Sequence, residues 1–213
     1  MAVPIREAAA MKLYYSPGAC SLSDHIVLEW IGRPYEAVRV SRDERKSPAF
    51  LELNPAGAVP VLQDGDWVLT QNAAILNFLA DSFPEARLGG DGTPKGRAEV
   101  NRWLSFVNSD VHPAFKPLFG ATTYLEDEAV IARTKDAARA SLRTLFERAD
   151  ARLAASEWIA GTRSIADPYL YVVTRWAKAQ DVDLSGLDNL ARFSARMEAD
   201  PAVRKVLAVE DLA

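Results

Sequence analysis

"MKLYYSPGACSLSDHIVLEWIG", residues 11–32, decides the fold, because it passes from an apolar strand through a proline–glycine break into a helix. Lys12 to Tyr15 reads as a buried strand, and Pro17-Gly18 interrupts it. Leu22, Ile26, Val27, Trp30 and Ile31 then recur at helical spacing until Gly32 stops the helix. The single cysteine of the chain, Cys20, falls at the helix start, with serines at 21 and 23 and no second cysteine to pair with. A thiol in the first turn of a helix lies near free backbone N–H groups and the positive end of the macrodipole, both of which favour thiolate. A depression of about two units from ~8.5 corresponds to ~2.7 kcal/mol and predicts a largely ionised group at neutral pH. The alternative is a small, buried, apolar cysteine.

Working outward, a second strand fits Tyr35 to Val40, and Ser47-Pro48 opens a short helix through Leu53, with serine as N-cap and proline at the first helical position. Val59-Pro60-Val61-Leu62 and Trp67-Val68-Leu69 flank Asp64-Gly65, a hairpin signal. Asn72 to Ser82 is the next helix, with Ala74, Ile75, Phe78 and Leu79 on one face. The order βαβαββα, with a right-handed crossover, makes the first two strands parallel and adds an antiparallel hairpin at the edge. This predicts a mixed four-stranded sheet with helices over it.

After Gly89-Gly90-Asp91-Gly92-Thr93-Pro94 the signals become almost purely helical. Helices fit about 95–120, 126–155, 165–180, 188–198 and 201–208, and Ser164-x-x-Asp167 has the spacing of a capping box. The chain therefore divides into an N-terminal extension, 1–10; an α/β domain, 11–88; a linker, 89–94; and an all-helical domain, 95–213. MAVPIREAAA lacks an apolar stretch after a basic start and does not read as a secretory signal; because Met11 restarts the chain directly before a strand-like run, residues 1–10 read as a vestigial extension or the product of an upstream start codon.

With 213 residues, 49% hydrophobic and 25% charged, the chain can bury a sizeable core. A net charge of −4 argues against a nucleic-acid or anionic-membrane partner, either of which favours a basic excess. One cysteine excludes an intrachain disulfide framework and fits a reducing, cytoplasmic compartment. No apolar stretch approaches the roughly 18 residues that span a bilayer.

Three constellations carry chemistry. The first is Cys20-Ser21-Leu22-Ser23, at the strand-to-helix junction where thioredoxin-like proteins place C-x-x-C, with Ser23 in place of the resolving thiol. A monothiol needs an external thiol for redox or transfer chemistry, and glutathione is the cytoplasmic candidate. The second is Asn54 to Leu62, in which Pro60 before an apolar run marks an edge, a bulge or a cis turn. A cis Val59-Pro60 bond leaves Val59 free to pair with an extended peptide ligand. The third is Thr70 to Ile75, a helix start whose amides suit a carboxylate and whose Gln71 and Asn72 can bond carboxylate or ammonium; plain N-capping by Asn72 is the alternative.

Together, "KLYYSPGACSLS", "LNPAGAVPVL", "TQNAAI", "WLSFVNSDVHPAFKPLF" and "GTRSIADPYLY" resemble the cytosolic glutathione S-transferases, the first of them the bacterial beta class. The resemblance runs from about residue 11 to 210. It implies an α+β chain in which a thioredoxin-like N-terminal domain precedes an all-helical bundle, assembled as a cytoplasmic homodimer. It further implies glutathione as co-substrate, no metal, and a small electrophilic second substrate, in a detoxifying transferase. Matched residue by residue, Cys20 contacts the glutathione sulfur and can form a mixed disulfide with it. Val59, before cis-Pro60, pairs with the cysteinyl backbone, and Gln71 and Asn72 hold the γ-glutamyl end. His112, with Ser109 nearby, reaches the sulfur from the helical domain, and Arg45 matches a basic residue near the glycine carboxylate. Position 71 is often Glu in the family and 72 often Ser or Gly, so Gln71 weakens the contact to the ligand ammonium.

Read on their own, other residues have local roles. His112, followed by Pro113, can simply pack or bond locally, and the helix bends there. His25 reads as solvent-facing or capping. Trp103, Phe106, Phe115, Phe119 and Trp176 fit a core, with Phe115, Phe119 and Trp176 as candidates for an apolar acceptor pocket. Related classes activate glutathione through a tyrosine near Tyr14 and Tyr15, but the residue after "SPGA" matches best. The leading expectation is glutathione conjugation, with thiol–disulfide exchange through Cys20 beside it. The alternative from another class is a non-enzymatic relative that binds a protein partner.

Overall fold

The computed structural model describes residues 11–213; the extension expected over 1–10 lies outside them. Strand β1, Met11–Tyr15, buries alternate residues, and helix α1, Ser21–Ile31, returns over the sheet to β2, Tyr35–Arg39. Gly32 ends α1 at φ 72°, a left-handed conformation that glycine adopts without a Cβ clash, and donates its N–H to Leu28 O. Helix α2, Pro48–Leu53, starts as expected, with the Ser47 side chain accepting from Phe50 N. Strands β3, Val61–Asp64, and β4, Trp67–Thr70, form the hairpin, with Asp64 facing Trp67 across a Gly65-Asp66 turn. Helix α3 spans Asn72–Ser82. The sheet order is β2-β1-β3-β4, with β1 parallel to β2 and the other pairs antiparallel.

Beyond α3, the regular elements among the described residues are all helices, joined by turns and loops. Thr93 caps α4, Pro94–Ser105, which continues through a π-helical turn, Phe106–Val111, into the short α5, His112–Ala114. The single helix expected over 95–120 therefore ends early. Pro113 supplies no N–H to the preceding turn, and Pro117 follows within a run of turns. Helices α6, Glu128–Leu153; α7, Ala166–Ala179; α8, Asp188–Ala199; and α9, Pro201–Val209, complete the chain. The expected capping box holds the start of α7. The Asp167 carboxylate accepts from Ser164 N, Ser164 Oγ and Ile159 N at 2.7, 3.0 and 2.9 Å.

One hydrophobic cluster runs from Leu13, Leu22, Ile26 and Ile75 into Val107, Leu170 and Val173, so the sheet and the bundle share a core. Helix α1 packs against both α7 and α9. The sheet and the bundle are therefore joined by a continuous core rather than by a linker alone. None of the described helices is long and apolar enough to cross a membrane.

Candidate active site

The loop between β1 and α1 is held from several sides. Ser16 Oγ donates to Val40 O at 2.6 Å, and Ala19 N donates to Ser16 O. Gly18 takes φ 69°, donates its N–H to Glu210 Oε2 at 3.0 Å and accepts from Trp176 Nε1 at 2.7 Å. Both of these partners come from the bundle, so the Cys20 loop is positioned across the two halves. His25 belongs to the same arrangement. It is buried against Glu210 at 2.8 Å, not exposed or capping as expected, because α1 is covered by the end of the chain.

Cys20 is the N-cap of α1, and its thiol donates to Val59 O at 3.6 Å. The expected ionisation is reversed: burial, followed by the Asp24 carboxyl, pushes the thiol pKa up to about 12. The N–H groups of Ser21 and Cys20 and the charge of Arg45 act the other way and are outweighed. Part of the helix-start field is already spent, since Leu22 N donates to Ala19 O and Ser23 N to Cys20 O.

Val59-Pro60 is cis, and Val59 precedes the β3 ladder, next to the Cys20 sulfur. Gln71 is exposed at φ 76°, directly before α3. Asn72 begins α3, but its side chain is buried and bonds inward to Ser23, so it does not present its amide to a ligand as expected. The N–H groups of Asn72 and Ala73 have no acceptor in the preceding turn, whereas Ala74 and Ile75 both donate to Gln71 O.

From the bundle, His112 Nδ1 lies 2.5 Å from the Tyr169 hydroxyl, which is 3.4 Å from Asn108 Oδ1. Burial, with Lys116 nearby, lowers the His112 pKa and favours neutral imidazole. Tyr169 O–H donating to Nδ1 leaves the proton on Nε2 as a donor. Tyr169, Asn108 and Lys116 were not among the expected site residues. The capping-box motif placed Tyr169 in the first turn of α7 but could not aim it.

Cys20, Val59, Pro60, Gln71, Asn72 and His112 line one cleft of about 290 Å³, together with Asn108, Lys116 and Tyr169. Other expected positions fall outside it. Ser109 is exposed and does not line the cleft; Asn108 does, because the π turn changes which residue faces inward. Arg45, on a single turn at Glu44–Lys46, does not line it either, though its charge reaches Cys20. Phe115 is wholly buried and belongs to the core, not to an acceptor pocket. Phe119 stacks on it at 5.6 Å and Trp176 meets both rings edge-on, beside the cleft. A larger depression of about 1140 Å³, at the connection from Pro84 to Arg97, contains neither the thiol nor the imidazole. Among the described residues no group of three or more His, Cys, Asp or Glu could hold a metal ion.

A thioredoxin-like sheet with a monothiol at its first helix, a cis-proline opposite, and a helical bundle closing the cleft defines a thiol-handling protein of the transferase architecture. Residues 9–81 match the model for the glutathione S-transferase N-terminal domain and 114–201 that for the C-terminal domain. Glutathione S-transferase GST-4.5 of Xanthomonas campestris is 56% identical, covering 95% of this chain and 100% of its own. The glutathione S-transferase from Xylella fastidiosa superposes with a TM-score of 0.94 at 56% identity over 95% of this chain and 100% of that one. A sphingomonad glutathione S-transferase complexed with glutathione gives 0.84 at 38%, and the bacterial beta class enzyme of Sphingomonas chungbukensis 0.84 at 36%; each match covers 95% of this chain and 100% of the other. The chain belongs to the glutathione S-transferase family.

Proposed function

We propose that the protein is a glutathione transferase that conjugates the glutathione thiolate to small electrophilic, hydrophobic compounds. The carrying observation is the convergence in one cleft of Cys20, Val59-cis-Pro60, the open start of α3, and His112 oriented by Tyr169. In this reading Val59 pairs with the cysteinyl backbone, while Gln71 and the amides at the start of α3 take the γ-glutamyl end. The glutathione thiol gives its proton to water, and His112 Nε2–H and the Cys20 S–H donate to the resulting thiolate. The sulfur lone pair then forms the new bond to the electrophile as the leaving group departs with its electron pair. Holding both reactants in one cleft supplies the orientation.

A high thiol pKa makes Cys20 a donor to the sulfur rather than a nucleophile in the free protein, which favours conjugation over exchange through a Cys20–glutathione disulfide. The same cleft weighs against a non-enzymatic partner-binding protein, which needs no tripeptide site. The domain limits 11–88, 89–94 and 95–213, a cytoplasmic location and a homodimer complete the proposal. Half-exposed Trp67, packed on Phe78 at 4.9 Å, is apolar surface of the kind that an assembly covers. The test is retention on immobilised glutathione together with turnover of aryl halides; absence of both overturns the reading.

A further inference from the structure

Beneath the cleft lies a polar cluster that the reaction above does not use. Ser23, Asp24 and Asn72 are all buried, in a region otherwise packed with apolar side chains from α1, α3 and α7. An amide orientation that sets donors against acceptors has Asn72 Oδ1 accept from Ser23 Oγ at 3.1 Å. Asn72 Nδ2 then donates to Asp24 Oδ2 at 2.6 Å and to Cys20 O at 3.1 Å. Asp24 Oδ1 meets no donor.

Among the described residues no cation is coupled to this carboxyl. The ionisable groups coupled to it are Cys20 on its own helix, Tyr169 on α7 and Glu210 after α9, all acids. Burial, with Glu210 adding, holds Asp24 well above the usual carboxylate range. Asp24 Oδ2 accepts the Asn72 amide from within the first turn of α1, and this contact joins the two helix starts.

We propose that Asp24 is a positioning residue for glutathione: through the Asn72 amide it ties the start of α3 to the first turn of α1. The separation between the groups facing the sulfur and those facing the γ-glutamyl carboxylate is thereby fixed. This rests on the glutathione-binding reading above. Asn72 spends its side chain on this tether, leaving its backbone N–H and that of Ala73 for the ligand.

Calorimetric titration of the full chain with glutathione, alongside steady-state kinetics, tests the tether. Asp24→Asn retains an acceptor for Asn72 and keeps Kd within about twofold of wild type. Asp24→Leu removes it and raises Kd about tenfold. At saturating glutathione kcat moves by less than about threefold, as expected for a change in binding rather than chemistry. Asp24→Ser, whose side chain is too short to reach the amide, gives the same rise in Kd and stands in if the leucine variant does not fold. Asn72→Ala also weakens binding, and adding Asp24→Ser to it produces no further loss, because both cut one link. Wild-type affinity in Asp24→Ser, or additive losses, overturns the proposal. A wild-type chain that binds no glutathione overturns the functional reading and the tether together.

Discussion

His25 Nδ1 on α1 lies 2.8 Å from Glu210 Oε1 just after α9, and neither side chain is more than 2% exposed. The other Glu210 oxygen accepts the N–H of Gly18, two residues before the thiol. Removing the Glu210 carboxyl leaves the buried His25 Nδ1 and the Gly18 N–H without their partner, at roughly 1–3 kcal/mol for each group. Glu210→Ala is therefore expected to cost about 2–5 kcal/mol of unfolding free energy. Urea denaturation checks this, and a loss below about 1 kcal/mol contradicts it.

Cys20 in the free protein is expected to alkylate slowly at neutral pH. Its pKa is about 12, raised from 9.0, so iodoacetamide labelling stays slow through pH 9 and accelerates above it. The folded state holds the proton more tightly than the unfolded one, so the contribution is intact below about pH 9 and is lost as pH rises toward 12. A thiolate absorbance that titrates near pH 7 in the ligand-free protein would sink this account.

Tyr169→Phe removes the hydroxyl that sets the His112 tautomer while keeping the ring in the core. Loss of that orientation is expected to lower kcat/KM about tenfold, and His112→Ala by at least as much. The double variant should be close to His112→Ala alone, because the hydroxyl acts through the imidazole. Additive losses in kcat/KM would assign Tyr169 an independent role at the sulfur.

Gln71→Glu places a carboxylate at an exposed position beside the start of α3. Attraction to the ligand ammonium is expected to lower the glutathione KM about threefold at low salt, with the gain shrinking as ionic strength rises. A KM that is unchanged or higher at every salt concentration excludes an ammonium contact at this position.

Much of the α/β half is legible locally. Gly32 ends α1, Ser47-Pro48 starts α2, and Asn72–Ser82 forms one helix, because caps and periodicity act within a few residues. The gathering of Cys20, Val59, Pro60 and Gln71 follows from strand-loop-helix order, which places their loops at one end of the sheet. Other features escape local reading. The run from 95 to 120 has helical periodicity throughout, yet the π turn and two prolines stop it early and turn Asn108, not Ser109, into the cleft.

The sequence by itself determined the order of strands and helices, the lone thiol at a helix start and the family to which they belong, since these are properties of short contiguous stretches. Only the tertiary structure decided the state of that thiol. A helix N-terminus argues for thiolate from local dipoles, but the ionisation free energy depends on everything that replaces water around sulfur. Here that includes Asp24 and the packed interface of two halves. The partner of His25, 185 residues away, and the aim of Tyr169 at His112 were decided in the same way, by burial of surfaces distant in the chain.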